Sequence, residues 1–390
     1  MITAIQVVHS KELLFFPKAA ESPGNQACNS VRKRLIESGE TGMATENIPP
    51  IRNIRYLKPQ KEWKEIIAIY LYLAGMGAGS FVIGTLITWM GVKLDPPFLS
   101  SIVLFGYTLN LSKVPIYWGP IMVAIGAPFL ILDLGIKWRF MYACLNPRTS
   151  WVARGFIILS IFIVLGLILL AKSILPFEWL HAASALWRIP EAIALLFAFA
   201  TAIYTGILLK ATKSVPLWST SLLPILFLVS ALSTGSMAII LSTLGTGFFT
   251  HDAGALKVLM GGEQVLVVIE GIVLYLFLSR RYRAAEQGKD SVRLLLFGEM
   301  KMIFWGGVVL LGFIFPVVLE NIASFFPGNF VLIFVAGIFL LCGGFFLRLG
   351  ILHAGIKDQI PMHRLMEIQH SIMAGRTHNP RITVHESQSH

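Results

Sequence analysis

The stretch Ala127–Trp151, APFLILDLGIKWRFMYACLNPRTSW, sets the reading of the whole chain. An apolar run ends on Asp133-Leu134-Gly135. A basic, aromatic turn follows with Lys137, Trp138, Arg139 and Phe140, and after Asn146-Pro147-Arg148-Thr149-Ser150-Trp151 a second apolar run opens. This is how two membrane-crossing helices look when a charged loop joins them. A carboxylate at the end of such a span costs a few kcal/mol if it faces hydrocarbon, and it persists there when paired or functional. Lys137 and Arg139 are sequence neighbours that can pair with Asp133. A charged helix end snorkelling to the headgroups is the plainer account of the same residues.

The composition extends this reading to the full chain. Of 390 residues, 55% are hydrophobic and only 14% charged, against about 25% charged in soluble proteins. The chain therefore reads as an all-α polytopic membrane protein. Eight apolar runs lie near the ~20 residues that a helix needs to cross a bilayer: Ile66–Met90, Ile116–Leu134, Val152–Ala171, Ile189–Leu209, Leu222–Leu244, Gln264–Leu278, Met302–Asn321 and Phe330–Leu349. The run Pro97–Leu111 is short and reads as a re-entrant or surface helix. Three segments follow from this: a polar arm over 1–62, a membrane domain over 63–350 and a tail over 351–390. Met43 is a candidate start within the arm, and no signal peptide is recognised there. The tail holds a short amphipathic stretch, Met362–Met373.

The net charge of +11 does not call for nucleic acid, because the basic residues sit in loops that set topology and meet anionic lipid. Loops 2–3, 4–5 and 6–7 hold twelve Lys and Arg residues, while loops 1–2, 3–4 and 5–6 hold five. By the positive-inside rule the richer side, and with it both termini, is cytoplasmic. The three cysteines, Cys28, Cys144 and Cys342, form no CxxC pair, so the sequence encodes no iron–sulfur cluster or structural zinc site. None of the nine histidines falls in the middle of an apolar run, which argues against a haem-carrying bundle. Electron handling here implies a redox partner outside the chain.

Polar residues inside the spans are the functional candidates. Gly75 and Gly79 in span 1 make a GxxxG face for close helix approach, and Ser233, Thr234, Gly235 and Ser236 do the same in span 5. Tyr70 in span 1, Asp133 after span 2 and Tyr204 in span 4 fall at one end of their helices. Each tyrosine taken singly also fits an interfacial belt. Glu270, in VLVVIEGIVLYL of span 6, has to be neutralised or paired at that depth; a proton relay and a structural hydrogen bond explain it equally well. Glu191 and Glu320 read as interfacial residues near the opposite face.

Taken together the motifs resemble the polysulfide reductase membrane-subunit family, also called NrfD-like. The resemblance rests on Tyr70-Leu-Tyr-Leu-Ala-Gly75-Met-Gly-Ala-Gly79, on Asp133-Leu-Gly135 with Asn146–Trp151, on Tyr204-Thr-Gly206 with Val215-Pro-Leu-Trp218, on Ser230-Ala-Leu-Ser-Thr-Gly235, and on Phe304-Trp305, Gly312 and Pro316. It covers about residues 63–350 and implies two four-helix bundles. It also implies an integral membrane subunit of a respiratory oxidoreductase complex, in a prokaryotic plasma membrane. Such a subunit binds a quinone (menaquinone or ubiquinone) and exchanges electrons with a ferredoxin-like iron–sulfur subunit, wired in turn to a catalytic subunit that is often a molybdopterin enzyme. The resemblance places the quinone at Tyr70, Asp133 and Tyr204; some relatives have histidine where this chain has Tyr70. Asp133 and Glu270 then carry protons, and Arg139, Arg148 and Trp151 shape the docking surface. Many relatives dock that partner on the periplasmic face, whereas the charge count here puts the same face in the cytoplasm. A secondary transporter or proton-translocating module without quinone chemistry is the rival reading of Glu270 and the glycine-broken helices. A structural anchor without quinone is the third.

Overall fold

A computed structural model describes residues 65–91, 101–104, 107–110, 114–132, 150–175, 186–212, 214–244, 253–284, 286–326 and 329–356. The whole N-terminal arm, Met43 included, and the stretch Met362–Met373 lie outside them. The elements in order are α1 (Glu65–Trp89), a hairpin of β1 (Ser101–Leu104) and β2 (Tyr107–Asn110), a single turn α2 (Val114–Tyr117), α3 (Gly119–Leu132), α4 (Trp151–Ile174), α5 (Arg188–Lys210), α6 (Leu222–Leu244), α7 (Ala253–Arg283) and α8 (Glu286–Phe297). A π-helix, Ile303–Ile314, then runs into α9 (Phe315–Phe325), and α10 (Phe330–His353) ends the series.

Seven of these helical segments are long and apolar enough to cross a membrane. The second expected span is described only as far as Leu132. It appears as α3, whose 14 residues rise only about 21 Å, and Pro128 within it removes one backbone donor. The expected helix over Pro97–Leu111 is replaced by the antiparallel hairpin, with Ser101 opposite Asn110 and Leu104 opposite Tyr107. Only two residues separate its strands, which suits a tight hairpin and not a helix.

Burial sorts the helices. In its most apolar window α1 is 72% buried and α6 67%, whereas α4, α7 and Ile303–Phe325 are 28% buried. The first two are therefore central and the others present most of their surface outward. α1 packs against α3, α5, α6 and α10; α6 packs against α1, α5, α7 and α10. The outer helices turn apolar side chains to the lipid. On α7, Val258, Val265, Val268, Ile272 and Tyr275 are exposed, while Leu256, Leu259, Glu263, Val267, Glu270, Leu274 and Phe277 are buried. Both sets follow the three-to-four residue spacing of one helix face, and both carboxyl groups lie on the inward face.

The central pair meets backbone to backbone. A Cβ on Gly79 would overlap the carbonyl of Ala231, and one on Gly235 would overlap the backbone of Gly79 and Ser80. Small residues allow this approach, and in lipid it is packing of this kind that holds helices together. The GxxxG expectation holds at Gly79. Gly75 has a different neighbour, the guanidinium of Arg348.

At the end of the bundle where α1 starts and α10 finishes, the loops are tied to one another. Trp218, fully buried, donates its indole N–H to the Ile351 carbonyl at 2.9 Å. Arg281 donates to the Ser219 carbonyl at 2.9 Å, and the Ile356 amide donates to Ser291 Oγ at 3.4 Å. Loops 4–5 and 6–7, both expected on the basic side, thus meet α10 at one end. In span 7 the π-hydrogen bonding carries through to Phe315, whose N–H reaches the Leu310 carbonyl five residues back.

Gly79→Val and Gly235→Val are each expected to cost about 3 kcal/mol or more, because backbone cannot yield as a side chain does. The check is the thermal midpoint and monodispersity of the purified chain in detergent, with Gly261→Ala, which meets nothing within 4 Å, as the neutral comparison.

Candidate functional site

Two sets of buried polar groups lie on either side of α1. The first holds Tyr70 and Tyr204. Tyr70 sits five residues inside the start of α1, and Tyr204 six residues inside the end of α5. At 1.5 Å per residue both lie about 8–9 Å from the same end of the bundle. Tyr70 is fully buried and Tyr204 is 2% exposed. Neither hydroxyl has a hydrogen-bond partner among the described residues, and the two phenols are near enough to interact electrostatically. The Tyr204 ring lies against Gly155 of α4, where any Cβ would overlap it. The belt account of these tyrosines does not survive: both point inward, away from lipid.

α3 runs antiparallel to α1, with Gly119 against Gly77 and Gly126 beside Leu73 and the Tyr70 carbonyl. This register brings the C-terminal end of α3, Leu132, towards the end of α1 that holds Tyr70. Asp133 follows next in the chain and lies outside the described residues, as do Arg139 and Arg148. Trp151 is 42% exposed at the start of α4, with the Arg154 guanidinium 4.5 Å from its ring centre. Ser150 caps this helix, its Oγ accepting from the Ala153 amide at 3.3 Å.

The second set centres on Arg348 of α10, which is fully buried. Its Nη1 donates to Ser230 Oγ and to the Gly344 carbonyl, each at 3.0 Å. Its guanidinium carbon lies 5.4 Å from the Phe227 ring centre and 5.6 Å from that of Tyr72. Nε and Nη2 have no partner among the described residues. Glu270 is buried nearby and interacts electrostatically with Arg348. A small cavity borders Glu270 and Thr234, walled by Gly312, Gly343 and Gly344.

Further along α7, Ser233 Oγ donates to Glu263 Oε1 at 3.5 Å. Gln264 Nε2 donates to Glu320 Oε2 at 3.0 Å, and the Glu263 and Glu320 carboxyls interact electrostatically. Glu320 is 1% exposed, so the interfacial reading of it is corrected: it faces the interior of the bundle. The interfacial reading suits Glu191 better, which accepts from Tyr117 Oη at 2.9 Å and from Trp89 Nε1 at 3.2 Å.

Sequence reasoning missed Arg348 and Glu263. Arg348 falls within the last apolar run, and an arginine inside such a run is itself the signal. Glu263 falls one residue before the start assigned to span 6. No group of three or more His, Cys, Asp or Glu side chains able to hold a metal occurs among the described residues.

Residues 57–358 match the family model described as polysulphide reductase, NrfD. The chain belongs to this family. It is 28% identical over 312 residues to the C subunit of polysulfide reductase from Wolinella succinogenes, an alignment covering 75% of this chain and 94% of the relative. It is 27% identical over 321 residues to an NrfD homolog of Haemophilus influenzae, covering 76% and 95%. More distantly it is 21% identical over 266 residues to the integral membrane subunit of an Hdr-like menaquinol oxidoreductase of Archaeoglobus fulgidus, covering 66% and 62%. With its seven long apolar helices, this member of the family is a multi-pass membrane protein.

Replacing Arg348 by Met leaves Glu270 without its buried counter-charge. The expected cost is about 3 kcal/mol, and the double variant Arg348→Met/Glu270→Gln should recover at least about 1 kcal/mol of it. Thermal denaturation of the four members of this cycle in detergent measures the coupling.

Proposed function

We propose that this chain is the quinone-reactive membrane subunit of a respiratory oxidoreductase complex in a prokaryotic plasma membrane. The observation that carries this reading is the pair of buried phenols at one end of the bundle, Tyr70 and Tyr204, whose hydroxyls have no partner among the described residues. An unsatisfied hydroxyl in a non-aqueous interior is costly, and a ligand that accepts hydrogen bonds relieves the cost. The oxygens of a quinone ring are such acceptors, and its apolar tail suits the lipid around the helices. The names of the Wolinella and Archaeoglobus relatives, one a component of polysulfide reductase and the other an integral membrane subunit of a menaquinol oxidoreductase, point the same way.

When bound, menaquinone or ubiquinone supplies two-electron, two-proton redox chemistry. Tyr204 donates its O–H to one ring oxygen, and its position is fixed by Gly155. Tyr70 lines the same space from α1. Asp133 holds and passes the proton that accompanies each electron. Arg139, Arg148 and Trp151 form the docking surface for a ferredoxin-like iron–sulfur subunit, which passes electrons to or from a catalytic, molybdopterin-type subunit. In this reading α3 and its continuation make the eighth crossing, and the helices divide into two four-helix bundles, one around Tyr70 and Tyr204 and the other around Arg348. Both termini and the docking surface face the cytoplasm.

Tyr204→Phe and Asp133→Asn should each lower quinol-dependent electron exchange with the iron–sulfur partner about tenfold to a hundredfold, with the complex still co-purifying. The measurement is partner-cluster reduction or oxidation in membranes supplied with a soluble quinol. Unchanged exchange in both variants would remove the site from this end of the bundle.

A further inference from the structure

α8 and the turn after it stand apart from the phenols and from Arg348, and they carry a surface of their own. One face of α8 is buried against the bundle through Gly288, Ser291, Val292 and Leu295. Leu295 lies beside Gly350 of α10, and Ser291 Oγ accepts from the Ile356 amide at 3.4 Å. The other face presents Lys289, Arg293 and Phe297 at four-residue intervals. Lys289 and Arg293 are half-buried and Phe297 is 73% exposed, so this stripe is basic where it starts and apolar where it ends. We infer that this face of α8, with Lys301 and the start of the π-helix, binds an anionic phospholipid. The phosphate sits at Arg293 and Lys301, and an acyl chain runs along Phe297, Met302 and Trp305. The inference does not rest on the quinone reading.

The turn brings the two parts together. The Gly298 amide donates to the Arg293 and Leu294 carbonyls at 3.0 and 3.1 Å, and the Lys301 amide to the Gly298 carbonyl at 3.2 Å. The indole N–H of Trp305 donates to the Leu296 carbonyl at 3.0 Å, which satisfies one of the acceptors that the end of a helix leaves open. The first turn of the π-helix is thereby held beside the last turn of α8. Trp305 also marks the depth. Its ring is 52% exposed, and an amphipathic aromatic ring at a span end sits at the headgroup level. Met302 is 73% exposed, and Leu310 and Ile314 carry the exposed apolar row further along span 7. Side chains this open stay dry only against acyl chains.

Charge selects the headgroup. From Arg280 to Lys301 the chain has six Lys and Arg residues against three acidic ones, Glu286, Asp290 and Glu299, and Asp290 is buried. Arg281 is held by the Ser219 carbonyl, and Lys289 lies 5.7 Å from the Tyr282 ring centre. Arg293 and Lys301 flank the turn, next to the apolar row. Each Lys or Arg near an anionic leaflet strengthens binding about fivefold. A water-borne protein reaches the charges but not the row that continues from Trp305 to Ile314. One occupant has to span both, and a charged lipid does.

The test is native mass spectrometry of the full chain purified in detergent and incubated with palmitoyl-oleoyl phosphatidylglycerol or the matching phosphatidylcholine. The wild type should retain the glycerol lipid about tenfold more than the choline lipid. Arg293→Gln/Lys301→Gln should lower retention of phosphatidylglycerol about tenfold or more, and Lys301→Gln alone about fivefold. The charge-matched Lys210→Gln/Lys213→Gln should change it by about twofold at most. Phe297→Ser/Met302→Ser should weaken retention of phosphatidylglycerol about fivefold, which attraction by charge alone does not foresee. The thermal midpoint without added lipid reports folding of each variant, and the exposed Lys301 gives a variant that leaves the packing intact. Equal retention of the two lipids by the wild type, or equal loss in the two charge-matched double variants, overturns the site. Loss of a co-purifying partner subunit from Arg293→Gln/Lys301→Gln, with phosphatidylglycerol retention unchanged, overturns it in favour of a protein surface.

Discussion

The contact between α1 and α6 at Gly79, Ala231 and Gly235 is the constraint on which the structure depends. Water drives no helix association inside a bilayer, since lipid tails are as apolar as leucine. Two helices stay together there by dense packing or by polar contact, and this pair uses the first. Backbone meets backbone at the glycines, and within a turn of that contact Ser230 of α6 receives the Arg348 guanidinium of α10. The other long helices pack on the pair directly or through a helix that does, α4 through α3 and α5, the π-helix and α9 through α10. α3 and α5 lean on α1, α7 leans on α6, and α10 touches both. The phenols on one side of α1 and the charged groups on the other are thereby held at fixed distances from a single rigid rod.

That arrangement gives the polarity of the interior a physical meaning. In lipid a helix satisfies its own backbone, so any remaining polar group belongs to a side chain that must find a partner or bear the cost of isolation. Most of the hydroxyls here turn back on their own helix, as Thr201 and Thr234 do in donating to carbonyls four residues earlier. Those without a partner among the described residues include the Tyr70 and Tyr204 hydroxyls and Nε and Nη2 of Arg348. Their isolation points to function because packing offers no return for it.

Much of this is legible in the sequence, for a physical reason: a membrane helix needs a long apolar run, and apolar runs are the strongest signal a sequence carries. The family resemblance is legible as well, because its motifs combine glycine contacts with polar residues inside spans. The sequence leaves Glu270 open between a proton relay and a structural hydrogen bond, and the alternating exposure along α7 adds that it faces inward. Three things are not legible. The hairpin over Ser101–Asn110 reads as a helix because a short apolar run has no clear period. Glu320 reads as interfacial because it falls near a span end, yet the turn of α9 carries it inward to Gln264. Arg348 escapes notice because a single arginine scarcely lowers the mean hydropathy of the run around it. The positions of Asp133, Arg139 and Arg148 are not among the described residues, so the sequence remains the source for them.

The link between Trp218 and Ile351 also has a bearing on how the chain is made. The two residues are 133 positions apart, and Ile351 lies in the last helix. A chain synthesised from its N-terminus has α1 to α7 in the membrane before the partner of Trp218 exists. The same holds for Glu270, whose counter-charge on Arg348 arrives 78 residues later in sequence. Until then the bundle carries an open slot between α1, α6 and the π-helix, lined by glycines and polar groups. Insertion of α10 closes that slot, supplies the missing charge and fastens the α5–α6 loop in one event. Among the described helices α10 is thus the last to arrive, and it acts as the keystone of the polar contact around Arg348.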